Sequence, residues 1–168
     1  MSAIRPGPEG TPLPDEAVVV RFAKTKGLNE KAMAVVASGR ARESMFSLSS
    51  KDKASLGKRL SVWAEGVTTP ARAWELLDKN PDLCLLIRLR PDAVRLIRYL
   101  EPTSERGGLD VEWEQAIRLV DGCDVPDDRD GAEGHAGIAG LFVSGDGARR
   151  RLRARLTEIA RVATRNFG

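Results

Sequence analysis

The stretch Leu83 to Leu89, LCLLIRL, decides the fold. Five of its seven residues are large aliphatics, and Pro81 and Pro91 bracket it closely. An apolar run that short, closed by prolines, predicts a strand buried on both faces. Behind it, Pro91 to Leu100 (PDAVRLIRYL) spaces Val94, Ile97 and Leu100 at helical intervals, with Pro91 suited to a first helical turn. A strand feeding a helix is therefore the organising unit.

Upstream of this unit, Thr69 followed by Pro70 supplies a capping hydroxyl and a residue that fits the first helical position. The pattern predicts a helix from Pro70 to about Lys79, stopped by Asn80-Pro81. Lys51 to Glu65 reads as helix or loop first and then a strand from Arg59 to Trp63. Ser44 to Leu48 reads as a further strand. Asn29 caps a short helix carrying Met33, Val36 and Ala37, which Gly39 ends. Ala17 to Ala23 (AVVVRFA) is β-branched and apolar, a strand with Arg21 as its one polar outlet. Residues 1 to 15 hold four of the nine prolines and two glycines and predict an extended, mobile arm.

Downstream, Leu109 to Glu114 (LDVEWE) alternates Leu109, Val111 and Trp113 with Asp110, Glu112 and Glu114, predicting a half-exposed strand with an acidic outer face. Ala116 to Val120 continues it or turns helical. An acidic, glycine-rich connection spans Asp121 to Gly134, and Gly137 to Ser144 returns as a strand. Residues 146 to 166 form the longest predicted helix, with Leu152, Leu156, Ile159 and Ala163 in one stripe. The sum is one α+β domain over residues 16–168: a small mixed sheet covered by helices, ending in a long basic C-terminal helix.

Composition agrees. With 168 residues, 42% hydrophobic and 30% charged, the chain is an ordinary globular domain, long enough to bury about two thirds of its unfolded surface. Two cysteines, Cys84 and Cys123, are too few for a disulfide framework and predict a reducing compartment. No stretch approaches the length of a membrane span and the first residues lack a signal-peptide core, so a cytoplasmic location without membrane association is expected. The net charge of +3 divides into +5 on residues 146–168 and −2 on the rest. Attraction to a polyanion or an acidic partner therefore belongs to the C-terminal segment, through Arg149, Arg150, Arg151, Arg153, Arg155, Arg161 and Arg165.

Chemistry-bearing residues are sparse. His135, the only imidazole, sits in GHAG, where small neighbours let a ligand or backbone come close. A polar group of Ser49, Ser50, Lys51, Asp52, Arg59 and Ser61 beside Phe46, joined by Arg21 if Ser44 to Leu48 and Arg59 to Trp63 are adjacent strands, could form an anion-binding rim. In that arrangement Lys51, Asp52, Ser61 and His135 are the catalytic candidates and Arg21 and Arg59 the ligand-binding ones. No nucleophile elbow, cysteine-protease signature, phosphate-binding glycine loop, zinc set or complete calcium loop is present. No metal site and no cofactor is implied.

The order F-S-L-S-S-K-D-K at Phe46 to Lys53, L-S-V at Leu60 to Val62, T-T-P-A-R-A at Thr68 to Ala73 and G-H-A at Gly134 to Ala136 resembles a family of small, uncharacterised bacterial proteins. The resemblance covers residues 44 to 140 and implies a bacterial origin and no assigned activity. Three functional classes are consistent with these residues. The leading expectation is a non-enzymatic interaction or accessory protein that docks a partner protein through charged surfaces. The second is nucleic-acid binding through the arginine-rich helix. The third is an enzyme on a phosphorylated or nucleotide-like ligand, using Arg21, Lys51, Asp52, Ser61 and His135, and it requires those side chains to share one concavity.

Overall fold

A computed structural model of the chain describes residues 4–54, 57–103 and 106–167. In chain order the elements are β1 (Val19–Ala23), α1 (Glu30–Ala37), a 3-10 turn (Glu43–Phe46), α2 (Ser50–Ala54), β2 (Leu60–Ala64), α3 (Pro70–Leu76), β3 (Leu85–Leu89) and α4 (Pro91–Arg95). The hairpin β4 (Arg98–Thr103) and β5 (Arg106–Gly108) follows, then β6 (Asp110–Trp113) and a second hairpin, β7 (Ile117–Val120) with β8 (Cys123–Pro126). A 3-10 turn (Ala132–Gly134), β9 (His135–Ala139), α5 (Asp146–Ile159) and β10 (Arg161–Thr164) complete the chain.

Six strands form one sheet in the order β10-β3-β1-β2-β9-β6. The α+β class agrees with the sequence, but the sheet is antiparallel in every ladder rather than mixed. The reason lies in how β2, α3 and β3 connect. The two strands run parallel, as helix-linked strands do, yet β1 is inserted between them and pairs antiparallel with both.

Of the septet Leu83 to Leu89, Leu85–Leu89 form β3, an interior strand between β10 and β1, while Leu83 and Cys84 precede it and are half-buried. Leu85, Ile87 and Leu89 of β3 point to one face and Leu86 to the other, while Arg88 is the exposed outlet and pairs with Glu65. The first face carries Val19, Leu60, Val62, Val111 and Ile138 and is closed by Val36 of α1, Val94 of α4 and Leu152 and Leu156 of α5. Each such fully buried aliphatic contributes about 1.5–3 kcal/mol. The second face carries Val20, Phe22, Trp63 and Leu86 beneath Ala73, Trp74 and Leu76 of α3. Helix starts follow the capping chemistry: Asn29 Oδ1 accepts from Ala32 N at 2.8 Å, and Thr69 Oγ1 accepts from Arg72 N at 3.2 Å.

Several expectations are corrected. The basic helix ends at Ile159, and Arg161–Thr164 form β10 on the edge of β3, because Val162 is buried against the sheet while Ala163 is exposed. The helix after Pro91 stops at Arg95. Val94 and Ile97 are buried, but Leu100 is 80% exposed on β4, so its helical spacing does not reflect a shared apolar face. Ser44 to Leu48 contains a 3-10 turn rather than a strand, since adjacent Met45 and Phe46 both enter the core instead of alternating. The strand expected from Gly137 to Ser144 is His135–Ala139.

The arm, expected to be mobile, lies along β6: Leu13 N donates to Val111 O, Trp113 N to Thr11 O, and Leu13 is buried. The face of β6 expected to be acidic and half-exposed is instead covered, with Glu112 only 8% exposed. Arginines supply its counter-charge, Arg59 to Glu112 and Arg95 to Asp110. Among the described residues no helix is long and apolar enough to cross a membrane.

Candidate functional site

The second face of the sheet is covered only in part. Beyond α3 it opens into a cavity of about 440 Å³, lined by Arg21, Asp52, Ser61 and His135 among others. Four of the five residues proposed from sequence for an enzymatic site thus meet in one concavity; the side chain of Lys51 lies outside the described residues.

Ser61 and His135 are brought together by strand register. β2 and β9 pair antiparallel with Ser61 opposite Gly137 and Trp63 opposite His135, so Ser61 and His135 are diagonal neighbours on one face. Ser61 Oγ lies 2.6 Å from His135 Nε2. His135 Nδ1 lies 3.1 Å from the backbone oxygen of Glu114. A carbonyl only accepts, so Nδ1 carries the proton, and a neutral ring then presents Nε2 as the acceptor for the serine hydroxyl. Trp63 packs edge-on against the imidazole at a centroid distance of 4.9 Å. The result is a hydroxyl bonded to a base that a third group holds in orientation.

The glycines of GHAG serve this placement. A Cβ on Gly137 would overlap the Arg59 side chain, and a Cβ on Gly134 would overlap Thr68. With Gly137 bare, Arg59 crosses the strand to reach Glu112 Oε1 at 2.8 Å and Glu114 Oε2 at 3.2 Å. Thr68 Oγ1 donates to Gly131 O in the turn before β9. The close approach expected at this motif is thus made by the protein's own side chains.

Arg59 is consequently not a rim residue, as the sequence suggests, but a largely buried counter-ion. Burial alone would lower its guanidinium pKa; the bonds to Glu112 and Glu114 overcome this and raise it. Burial also pushes the Glu114 carboxyl up, against the pull of Arg59.

Arg21 sits where two strands separate. β1 and β2 pair only at Val19 with Ala64 and Val20 with Trp63. Past that point the Arg21 guanidinium fills the gap, its Nε donating to Met45 O at 2.8 Å and its Nη1 to Ser61 O at 2.9 Å. Burial lowers its pKa to about 10, with the charge of Asp52 acting in the opposite sense, so it remains cationic at neutral pH. Asp52 lies in the first turn of α2, capped by Ser49: Ser49 N donates to Asp52 Oδ2 at 2.9 Å and Asp52 N to Ser49 Oγ at 3.0 Å, a reciprocal capping box.

Electrostatics narrows what the cavity can hold. Its lining includes Glu9, Asp52, Glu114 and Asp127 against Arg21, and its apolar wall is Phe22, Trp63, Leu76, Leu77 and Leu83. A unit negative charge about 6 Å from a carboxylate, at an effective dielectric of about 20, is repelled by about 3 kcal/mol. Glu114 and Asp127 are neutralised by Arg59 and Arg129, but the balance still disfavours a phosphorylated ligand. Sequence reasoning missed Glu114, Trp63 and Phe22 here; the Glu114 backbone oxygen holds Nδ1 at 3.1 Å, with its carboxylate 3.8 Å away, and a backbone contact leaves no side-chain pattern to read.

The arginines of the C-terminal segment are largely used internally. Arg149 bonds Val143 O and Asp146, Arg153 pairs with Glu43, and Arg155 with Glu158. Arg161 bonds Ala160 O, and Arg165 bonds Leu83 O while its guanidinium lies 3.8 Å from the Trp74 ring centroid. Arg150 and Arg151 are exposed. Among the described residues no group of three or more His, Cys, Asp or Glu is placed to hold a metal ion.

Fold and site together define an α+β protein with a six-stranded antiparallel sheet and a serine–histidine pair in a partly apolar cleft. No protein-family model, no curated protein and no solved structure matches the chain.

Proposed function

We propose that the protein is an enzyme that transfers an acyl group from a small, uncharged ester to water, with Ser61 as nucleophile and His135 as general base. The observation that carries this reading is the 2.6 Å contact between Ser61 Oγ and His135 Nε2 inside a cavity, with Nδ1 held by the Glu114 carbonyl. In the first step Ser61 Oγ attacks the substrate carbonyl carbon while its proton passes to Nε2. The ester C–O bond then breaks, and the departing alcohol takes that proton. Water, deprotonated by the same nitrogen, cleaves the acyl-serine and restores the hydroxyl. Arg21 Nη1 donates to the Ser61 backbone oxygen at 2.9 Å, and the charge it brings to the cavity wall favours the oxyanion of each tetrahedral intermediate.

An ester suits the site better than the phosphorylated ligand expected from sequence. Its carbonyl is neutral until the transition state, so the surrounding carboxylates oppose binding little, and Phe22 and Trp63 offer an apolar wall to a ring or chain. The test is reaction with a fluorophosphonate, a reagent for activated serines, read by intact mass and peptide mapping. The expected result is one adduct on Ser61, none on Ser61→Ala and a rate at least about a hundredfold lower on His135→Ala. p-Nitrophenyl ester turnover should fall at least about a thousandfold in Ser61→Ala. Ester hydrolysis equal in wild type and Ser61→Ala, or an adduct on another residue, ends the proposal.

A further inference from the structure

A second concavity, sharing no residue with the cleft, lies between α5 and the β4–β5 hairpin and encloses about 750 Å³. Its floor is apolar: Leu100, Phe142, Val143 and Leu152. Its rim carries Arg98, Arg151 and Arg155, the last also paired along the helix with Glu158, and no carboxylate stands among the described residues that line it. Leu100 is 80% exposed and Phe142 48% exposed, with Leu96, at 77%, on the chain leading into β4. Large aliphatics this exposed are costly to leave in water, and clustered beside a groove they mark an interaction surface.

We propose that this groove docks an acidic, amphipathic segment of a partner protein, its apolar residues resting on Leu100 and Phe142 and its carboxylates on Arg98, Arg151 and Arg155. Charge complementarity selects that occupant: three guanidiniums around an apolar floor match alternating Asp or Glu and Leu or Phe, and guanidiniums pair carboxylates bidentately. Single-stranded nucleic acid fits less well. The Phe142 ring already carries the Lys58 ammonium at 4.1 Å from its centroid, the Tyr99 hydroxyl is bonded to Gly140 O at 2.7 Å, and exposed leucines add nothing to phosphate or base recognition. The proposal gives the docking function expected from sequence a place in the fold and a partner chemistry.

The experiment selects a displayed library of random 16-residue peptides on the full chain and measures the winners by fluorescence anisotropy. Enrichment of sequences combining Asp or Glu with Leu or Phe is expected. Binding should weaken at least about tenfold in Leu100→Ser, in Phe142→Ser and in Arg151→Glu, and stay within about twofold in Leu119→Ser, an exposed leucine on the separate β7–β8 hairpin. These are surface changes, and an unchanged circular dichroism spectrum confirms that each variant is folded. Winners without an acidic excess, no enrichment at all, or affinity indifferent to Leu100 and Arg151 overturns the proposal. So does a labelled single-stranded RNA 20-mer that displaces the winners and binds more tightly than they do.

Discussion

The two faces of the sheet are built differently. The first is closed by α1, α4, α5 and the N-terminal arm and is filled almost wholly by aliphatic side chains. The second has α3 over one part only, and in the space left over the chain places Ser61, His135, Arg59, Glu112 and Glu114. The first face supplies stability through apolar area. The second spends some of it by burying charged groups, which fold only because each is given a counter-charge or a carbonyl. The difference teaches where to look for chemistry in such a fold: on the face whose helical cover stops short.

Substitutions can separate the two contributions. The largest loss is expected from Arg59→Ala, which removes the guanidinium shared by two nearly buried carboxylates and should cost about 3–5 kcal/mol in urea unfolding. That deficit should shrink on acidification, because protonated carboxyls no longer need the cation. Leu156→Ala, on the closed face, should cost about 3 kcal/mol, through lost apolar burial and the cavity left behind, and should show no such rescue by acid. If both variants respond alike to pH, the contrast between the faces fails.

A smaller effect is expected at Asp127, whose carboxylate takes Arg129 Nε at 2.9 Å and Nη2 at 2.7 Å. Those bonds hold its pKa below the usual carboxylate value, so its contribution is complete above about pH 4 and is lost as pH falls through the depressed value. Asp127→Asn should therefore cost about 1–3 kcal/mol at pH 7 and progressively less below pH 4, measured by thermal melts across pH. Glu114 acts in the opposite sense. Its raised pKa means the folded state holds the proton more tightly, so that share of stability is present in acid and disappears as pH rises through the raised value. The smallest change should come from Thr69→Ala, which removes the α3 cap for about 1 kcal/mol and leaves the closed face untouched.

Local signals read well where one residue or one short run sufficed. The strands at Val19–Ala23, Leu60–Ala64 and Leu85–Leu89 and the caps at Asn29 and Thr69 could be read directly from side-chain type. The C-terminal strand could not. Leu152, Leu156, Ile159 and Ala163 keep helical spacing past the true helix end, and only the open edge of β3 turns Arg161–Thr164 into a strand. The Ser61 and His135 pair was equally hidden. Each residue was a candidate by type, but they stand 74 positions apart and meet only through the register of β2 on β9.

By itself the sequence determined which segments are apolar, where helices begin and that the domain is α+β, because these follow from side-chain chemistry within a turn or two of chain. Tertiary structure decided that β1 enters between β2 and β3, that Arg59 neutralises the acidic strand across the bare backbone of Gly137, and that a serine lies against the only imidazole. Those are contacts between residues far apart in the chain, set by which edges pair and which face is left uncovered, and no local pattern encodes them.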